Sequence, residues 1–87
     1  MKVRKQVANF AEAMEVKLKQ NDHKEHWSEE SIDSLYDMLV EEKEELRKEL
    51  AFAYRDPDDF DIEQAQEEAI DVANFAMMIW DNLSRVK

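Results

Sequence analysis

Three observations predict an all-α fold. The chain contains no glycine and one proline, Pro57, and these are the residues that most often punctuate chains and break helices. Apolar residues recur at steps of three and four, the period of an amphipathic helix. Polar connections fall at 21–26 and 56–61, dividing the 87 residues into three main helices. A length of this order predicts one domain covering 1–87, too small to bury more than about two-thirds of the surface of its unfolded chain.

The first helix is expected from Val3 to Gln20, where Val3, Val7, Phe10, Met14 and Leu18 form one stripe. After the polar connection, Trp27 precedes Ser28, which reads as an N-cap with acids in the following turn. The second helix then runs from Glu29 to Tyr54, with the stripe Ile32, Leu35, Leu39, Glu42, Leu46, Leu50. Pro57 disfavours helical geometry at Asp56, and Asp58 or Asp61 caps a third helix running to Ser84. From Ala69 to Trp80 that helix is apolar nearly all round, interrupted by Asp71 and Asn74. A helix of this kind is buried on more than one side, and two other helices can hardly surround it. A homo-oligomer, dimer or tetramer, is therefore expected to complete the bundle, with the third helix near its interface.

Composition excludes several classes. There is no cysteine, hence no disulfide, thiolate metal site or cysteine nucleophile. The formal charge of −10 offers no basic face for nucleic acid. The longest mostly apolar stretch falls far short of the roughly 20 residues of a spanning helix, and no signal peptide is visible. The expectation is a cytoplasmic protein that binds neither nucleic acid nor membrane. A hydrophobic content of 44% argues against a disordered acidic tail.

The chemistry lies in the acids that interrupt apolar stripes. Glu42 stands where the period calls for an apolar side chain, with Glu45 three residues on. Glu68 and Asp71 repeat the spacing on the third helix. Residues three apart share a helix face, so two such pairs on facing helices converge four carboxylates on one small volume. Without a cation they repel, and some must stay protonated. Six oxygen ligands satisfy Mg²⁺, and a site of carboxylates without His or Cys favours Mg²⁺ or Mn²⁺ over Zn²⁺. Taken alone, Glu41 to Glu49 reads as well as a solvated surface run, and Glu67 and Glu68 as first-turn acids of a helix that starts late. Asp71 and Asn74 resist such a reading. They are the only polar residues among twelve, and Asp is a poor residue in a helix interior.

The segment Leu39-Val40-Glu41-Glu42-Lys43-Glu44-Glu45-Leu46 resembles the EExxE motif of the MazG-type all-α nucleoside triphosphate pyrophosphohydrolases. The segment Glu67-Glu68-Ala69-Ile70-Asp71-Val72-Ala73-Asn74 resembles their ExxD motif, and the 22 residues between Glu45 and Glu68 fit that family's spacing. The resemblance covers Trp27 to Leu83, and Ile70 departs from it, standing where many such proteins carry a small glycine. It implies a MazG-like helical bundle in which Glu42, Glu45, Glu68 and Asp71 bind Mg²⁺ or Mn²⁺. Glu41 supports a ligand or orients water, and Asn74 hydrogen-bonds substrate or a ligand. The implied reaction is NTP + H₂O → NMP + pyrophosphate. Water attacks the α-phosphorus, with Glu41 or Glu45 as general base.

Phosphate also calls for cations. Lys17, Lys19, Lys24, Arg47, Lys48 and Arg55 are candidates, each of which also reads as an ordinary solvated side chain. Trp27 is a candidate to stack on a base, against a helix-start staple. Trp80 and the pair Met77-Met78 read as packing, and His23 and His26 as surface histidines rather than a zinc pair. The alternative function is a noncatalytic helical oligomerisation or regulatory module that keeps an acidic metal- or nucleotide-binding site. A carboxylate-bridged di-iron bundle would need Glu-x-x-His pairs, and neither histidine follows a glutamate at that spacing.

Overall fold

The computed structural model describes residues 1–21 and 26–86. Among them are three α-helices and no strand: α1 Lys5–Gln20, α2 Ile32–Arg55 and α3 Ile62–Leu83. Short 3₁₀ turns, Trp27–Glu29 and Pro57–Asp59, precede α2 and α3. His23 and Lys24 lie outside the described residues. No helix among the described residues is long and apolar enough to cross a membrane.

The start of α2 corrects one expectation. Ser28 does not cap the helix; it lies inside the first 3₁₀ turn, where its N–H donates to His26 Nδ1 at 3.1 Å. Ser31 is the N-cap, its hydroxyl accepting from the N–H of Ser34 at 3.0 Å. Two serines three residues apart offered the same local chemistry, and the turn engages the earlier one. Trp27 accordingly makes no helix-start staple. Its indole stacks on His26 with centroids 4.4 Å apart, and Nε1–H donates to Asp81 Oδ2 at 2.9 Å. At the other connection Asp61 caps α3, accepting from the N–H of Gln64 at 3.0 Å. Asp58 belongs to the 3₁₀ turn.

α2 and α3 form an antiparallel hairpin across the Asp56–Asp61 connection. Glu42 in the middle of α2 meets Glu68 and Asp71 in α3, while Asn82 at the end of α3 reaches back to the entry of α2. The Asn82 amide donates to the carbonyls of Trp27, at 3.0 Å, and Glu30, at 3.2 Å. Its Oδ1 accepts from Arg85 at 2.9 Å, so both the donors and the oxygen of this buried side chain are engaged at the open end of the hairpin. α1 packs antiparallel on α3, with Met14 opposite Asn74 and Lys17 opposite Asp71.

Among the described residues the buried core is small. Leu35 is 1% exposed, and Ala65 and Ile70 are the other buried apolar residues; α1 contributes none. Val3 before α1, Val7, Phe10 and Val16 along α1, and Trp80 and Leu83 on α3 remain exposed, Trp80 to 72%. The radius of gyration is 14.7 Å, against roughly 12 Å for a compact domain of this length. The accessible surface is 7023 Å², against roughly 5,400 Å² for a compact monomer of this mass. A single chain therefore leaves uncovered the apolar surface that the patterning of α3 marks for burial.

Candidate metal centre

The interruption of the α2 stripe by Glu42 has a geometric counterpart on α3. Leu35, seven residues earlier on the same face, is the most buried side chain of the hairpin, and the register it sets turns Glu42 toward α3. Glu68 and Asp71, three apart, present their carboxylates to the same point. One oxygen from each of Glu42, Glu68 and Asp71 lies within 4.8 Å of the others, and all three residues are partly buried. Glu68 is steadied by Gln64, one turn earlier, whose amide donates to Oε1 at 2.7 Å.

Burial and proximity raise the cost of ionisation. Glu42 is pushed from 4.5 up to about 7, first by burial, then by a hydrogen bond shared with Glu68 and by the charges of Asp71, Glu68 and Glu45. Asp71 is also raised, chiefly by burial and by Glu68, against the opposing pull of Lys17. Lys17 reaches in from α1. Its ammonium lies 2.9 Å from Glu67 Oε2 and 3.5 Å from Asp71 Oδ1. The hydrogen bond to Glu67 raises its own pKa, and the charge of Asp71 adds to this.

The donor set suits a hard divalent cation. All three donors are carboxylate oxygens, the ligand type of Mg²⁺ and Mn²⁺. Oxygens around one Mg²⁺ stand at most about 4.2 Å apart at its roughly 2.1 Å bond lengths, close to the spread of the triad. The rise of Glu42 to about 7 and the Lys17 ammonium beside Asp71 both reflect the crowding of negative charge in this cluster.

The other expected site residues fall around the triad. Glu45 does not join it; its exposed carboxylate faces Lys48 at 3.7 Å. Glu41 is exposed one position before Glu42. Asn74, one turn beyond Asp71, is 4% exposed and donates from Nδ2 to the carbonyl of Met14 at 3.3 Å. Its Oδ1 is buried without a partner. Trp27 lies at the far end of the hairpin, held by Asp81, so the ring expected to stack on a base is committed to the fold. Arg47 is paired with Glu44 at 2.9 Å.

Three residues of this region escaped the sequence reading. Lys17 was recognisable only as one cation among six. Glu67 reads as the first residue of the ExxD-like segment, and nothing in the sequence singles out Gln64. Comparison with family models, with curated proteins and with solved structures returns no match.

The triad makes the metal-free fold sensitive to pH in a defined direction. The carboxyl of Glu42 has a higher pKa in the fold, about 7, than its ordinary 4.5. Between these values the folded state holds a proton that the unfolded state releases, so stability is full below the lower value and falls as pH rises through the window. Thermal unfolding in EDTA should show a Tm that falls from pH 4.5 to 7. The fall should be flattened in Glu42→Gln and by saturating Mg²⁺. Parallel pH profiles for wild type and variant would refute the assignment.

Proposed function

We propose that the chain is a Mg²⁺-dependent nucleoside triphosphate pyrophosphohydrolase of the MazG type, releasing nucleoside monophosphate and pyrophosphate. The observation that carries this reading is the convergence of Glu42, Glu68 and Asp71 from the EExxE-like and ExxD-like segments. These two segments are far apart in sequence, and their carboxylates meet across the helical hairpin.

In this reading Glu42, Glu68 and Asp71 hold the cation, and Glu45 extends the same face one turn further along α2. When bound, the ion neutralises charge on polyphosphate oxygens as it grows during displacement. Glu41 and Glu45 are exposed and so remain available to accept the proton of the attacking water. The buried, unpartnered Oδ1 of Asn74 offers an acceptor one turn from Asp71. Leaving such an atom unpaired costs free energy, and a donor on a ligand or an ordered water would relieve it. No serine or cysteine nucleophile with an adjacent base is needed, because water is the attacking group.

The same reading includes a homo-oligomer. The exposed faces of α1 and α3 and the excess accessible surface of one protomer are what association would cover. A solution mass equal to the 10.4 kDa monomer in sedimentation equilibrium would exclude this part.

One observation favours a second reading. Glu45 stands with Lys48 outside the triad, which suits a noncatalytic module that binds cation and nucleotide without turnover. Pyrophosphate release from a panel of ribo- and deoxynucleoside triphosphates separates the two. The enzyme reading expects release that requires Mg²⁺ and falls by about 100-fold or more in Glu42→Gln, the scale of losing an electrostatic contact to a transition state. Release insensitive to EDTA and to the substitution would contradict the site. Nucleotide binding by calorimetry with no release would favour the second reading.

A further inference from the structure

Charge is divided unevenly along this chain. Residues 1–11 carry three cations, Lys2, Arg4 and Lys5, and no acid, while all 22 acids lie in the remainder. The placement of these cations runs against local stability. α1 begins at Lys5 with Arg4 at the N-cap position, without a side-chain cap and without an acid in its first turn, whereas a helix N-terminus favours negative charge. Among the described residues none of the three cations is in an ion pair. Val3, Val7 and Phe10 on the same stretch are exposed. A second set of unmet charge lies at the connection between α2 and α3. Asp56, Asp58, Asp59, Asp61 and Glu63 are exposed there beside one cation, Arg55, and none of these acids has an ion-pair partner among the described residues. Tyr54 and Ile62, both exposed, place apolar surface among them.

One chain cannot bring the two sets together. α1 runs antiparallel to α3, with Met14 opposite Asn74 and Lys17 opposite Asp71. Its first turn therefore points toward the C-terminal end of α3, while the acids sit at the N-terminal end. At the rise of an α-helix, Lys5 and Ile62 are on the order of 30 Å apart along the helices, several times the roughly 8 Å screening length at physiological salt. A second copy turned about a two-fold axis removes this distance. It sets the basic stretch of each chain against the acidic connection of the other, so both sets are met twice and neither is left over. A head-to-tail contact would use one set of each chain and leave the other to propagate the array. We propose that the basic stretch at 1–11 docks on the acidic α2–α3 connection of a second copy of this chain, in a two-fold pair with two equal contacts. Exposed ion pairs alone contribute little, and their part is to set orientation and encounter. The apolar side chains interleaved with both sets supply the burial. An anionic lipid surface fits less well, since it would attract three cations and repel a chain of net charge −10. The proposal rests on the homo-oligomer of the functional reading, names its interface, and is independent of the cation site.

Sedimentation equilibrium of the full chain at low and high salt tests it. Wild type should sediment at an even multiple of 10.4 kDa at low salt and dissociate more readily in about 0.5 M NaCl, where the screening length falls to a few Å. Two charge reversals probe the two sides: Lys2→Glu with Arg4→Glu and Lys5→Glu on one, Asp56→Lys with Asp58→Lys and Asp59→Lys on the other. Each set alone should weaken association about tenfold or more, the scale of several exposed ion pairs lost together. An equimolar mixture of the two variants should recover the pair, because each then offers the sign that the other lacks. An oligomer insensitive to salt and formed equally by wild type and both variants would overturn this interface while leaving the homo-oligomer intact. A chain that is monomeric in every condition would overturn both. A monomer that binds phosphatidylserine–phosphatidylcholine vesicles through residues 1–11 would overturn the proposal in favour of a lipid surface. A measurement on wild type covers variants that fail to fold. Carbodiimide coupling of mixed ¹⁵N-labelled and unlabelled chains should give amide cross-links between copies that join Lys2 or Lys5 to the acids at 56–63. Cross-links between copies confined to other residues would overturn the proposal.

Discussion

Like-charged carboxylates facing each other across the α2–α3 hairpin are the constraint on which the rest of the molecule turns. An apolar side chain in place of Glu42 would stabilise the contact by about 1.5–3 kcal/mol if fully buried. The protomer has few such contacts, with Leu35 alone essentially sealed from solvent. Instead the hairpin brings Glu42, Glu68 and Asp71 together, and burial and neighbouring acids raise the pKa of Glu42 and Asp71. The raised pKa of Glu42, about 7, which favours uptake of one proton, and the ammonium of Lys17 are the two means by which the chain meets that charge on its own. Both are partial, since one proton and one ammonium face three acids and the neighbouring Glu67. A cation site is the arrangement in which this cost has a return.

α1 follows from the same constraint. It buries no residue of its own, and its recorded polar links to α3 are Met14 with Asn74 and Lys17 with Glu67 and Asp71. Its seat on α3 is thus defined in part by the charge of the candidate centre, and any cation bound there acts on α1 through Lys17. The apolar residues that α1 and α3 leave exposed are a separate feature of the chain. Closure of the hairpin at its far end is independent of both. There Asn82 satisfies the carbonyls of Trp27 and Glu30 and Asp81 accepts from Trp27 and pairs with Arg85, so the entry of α2 is held by contacts separate from the triad.

Much of this was legible before any coordinates. The absence of glycine and the three- and four-residue spacing of apolar side chains marked three helices, and the acids inside two stripes marked Glu42, Glu68 and Asp71. Periodicity reports faces, so it found residues that interrupt a face. It could not choose between Ser28 and Ser31 as the N-cap, since either serine can accept the same hydrogen bond and the choice depends on a 3₁₀ turn closed by His26. It could not foresee that Trp27 would be tied to Asp81, 54 residues away, because such a contact follows from the register of the hairpin. Lys17 was hidden for a similar reason. Its partners lie 50 and 54 residues further on, and nothing local separates it from Lys19. Glu45 shares a helix face with Glu42 by spacing, yet a side chain at the edge of that face can turn to Lys48, and here it does.

Anomalous diffraction from crystals of the full chain grown with Mn²⁺ tests the cation site most directly. A peak flanked by the carboxylates of Glu42, Glu68 and Asp71 is the expected result. A folded protein whose crystals carry no manganese there would contradict it.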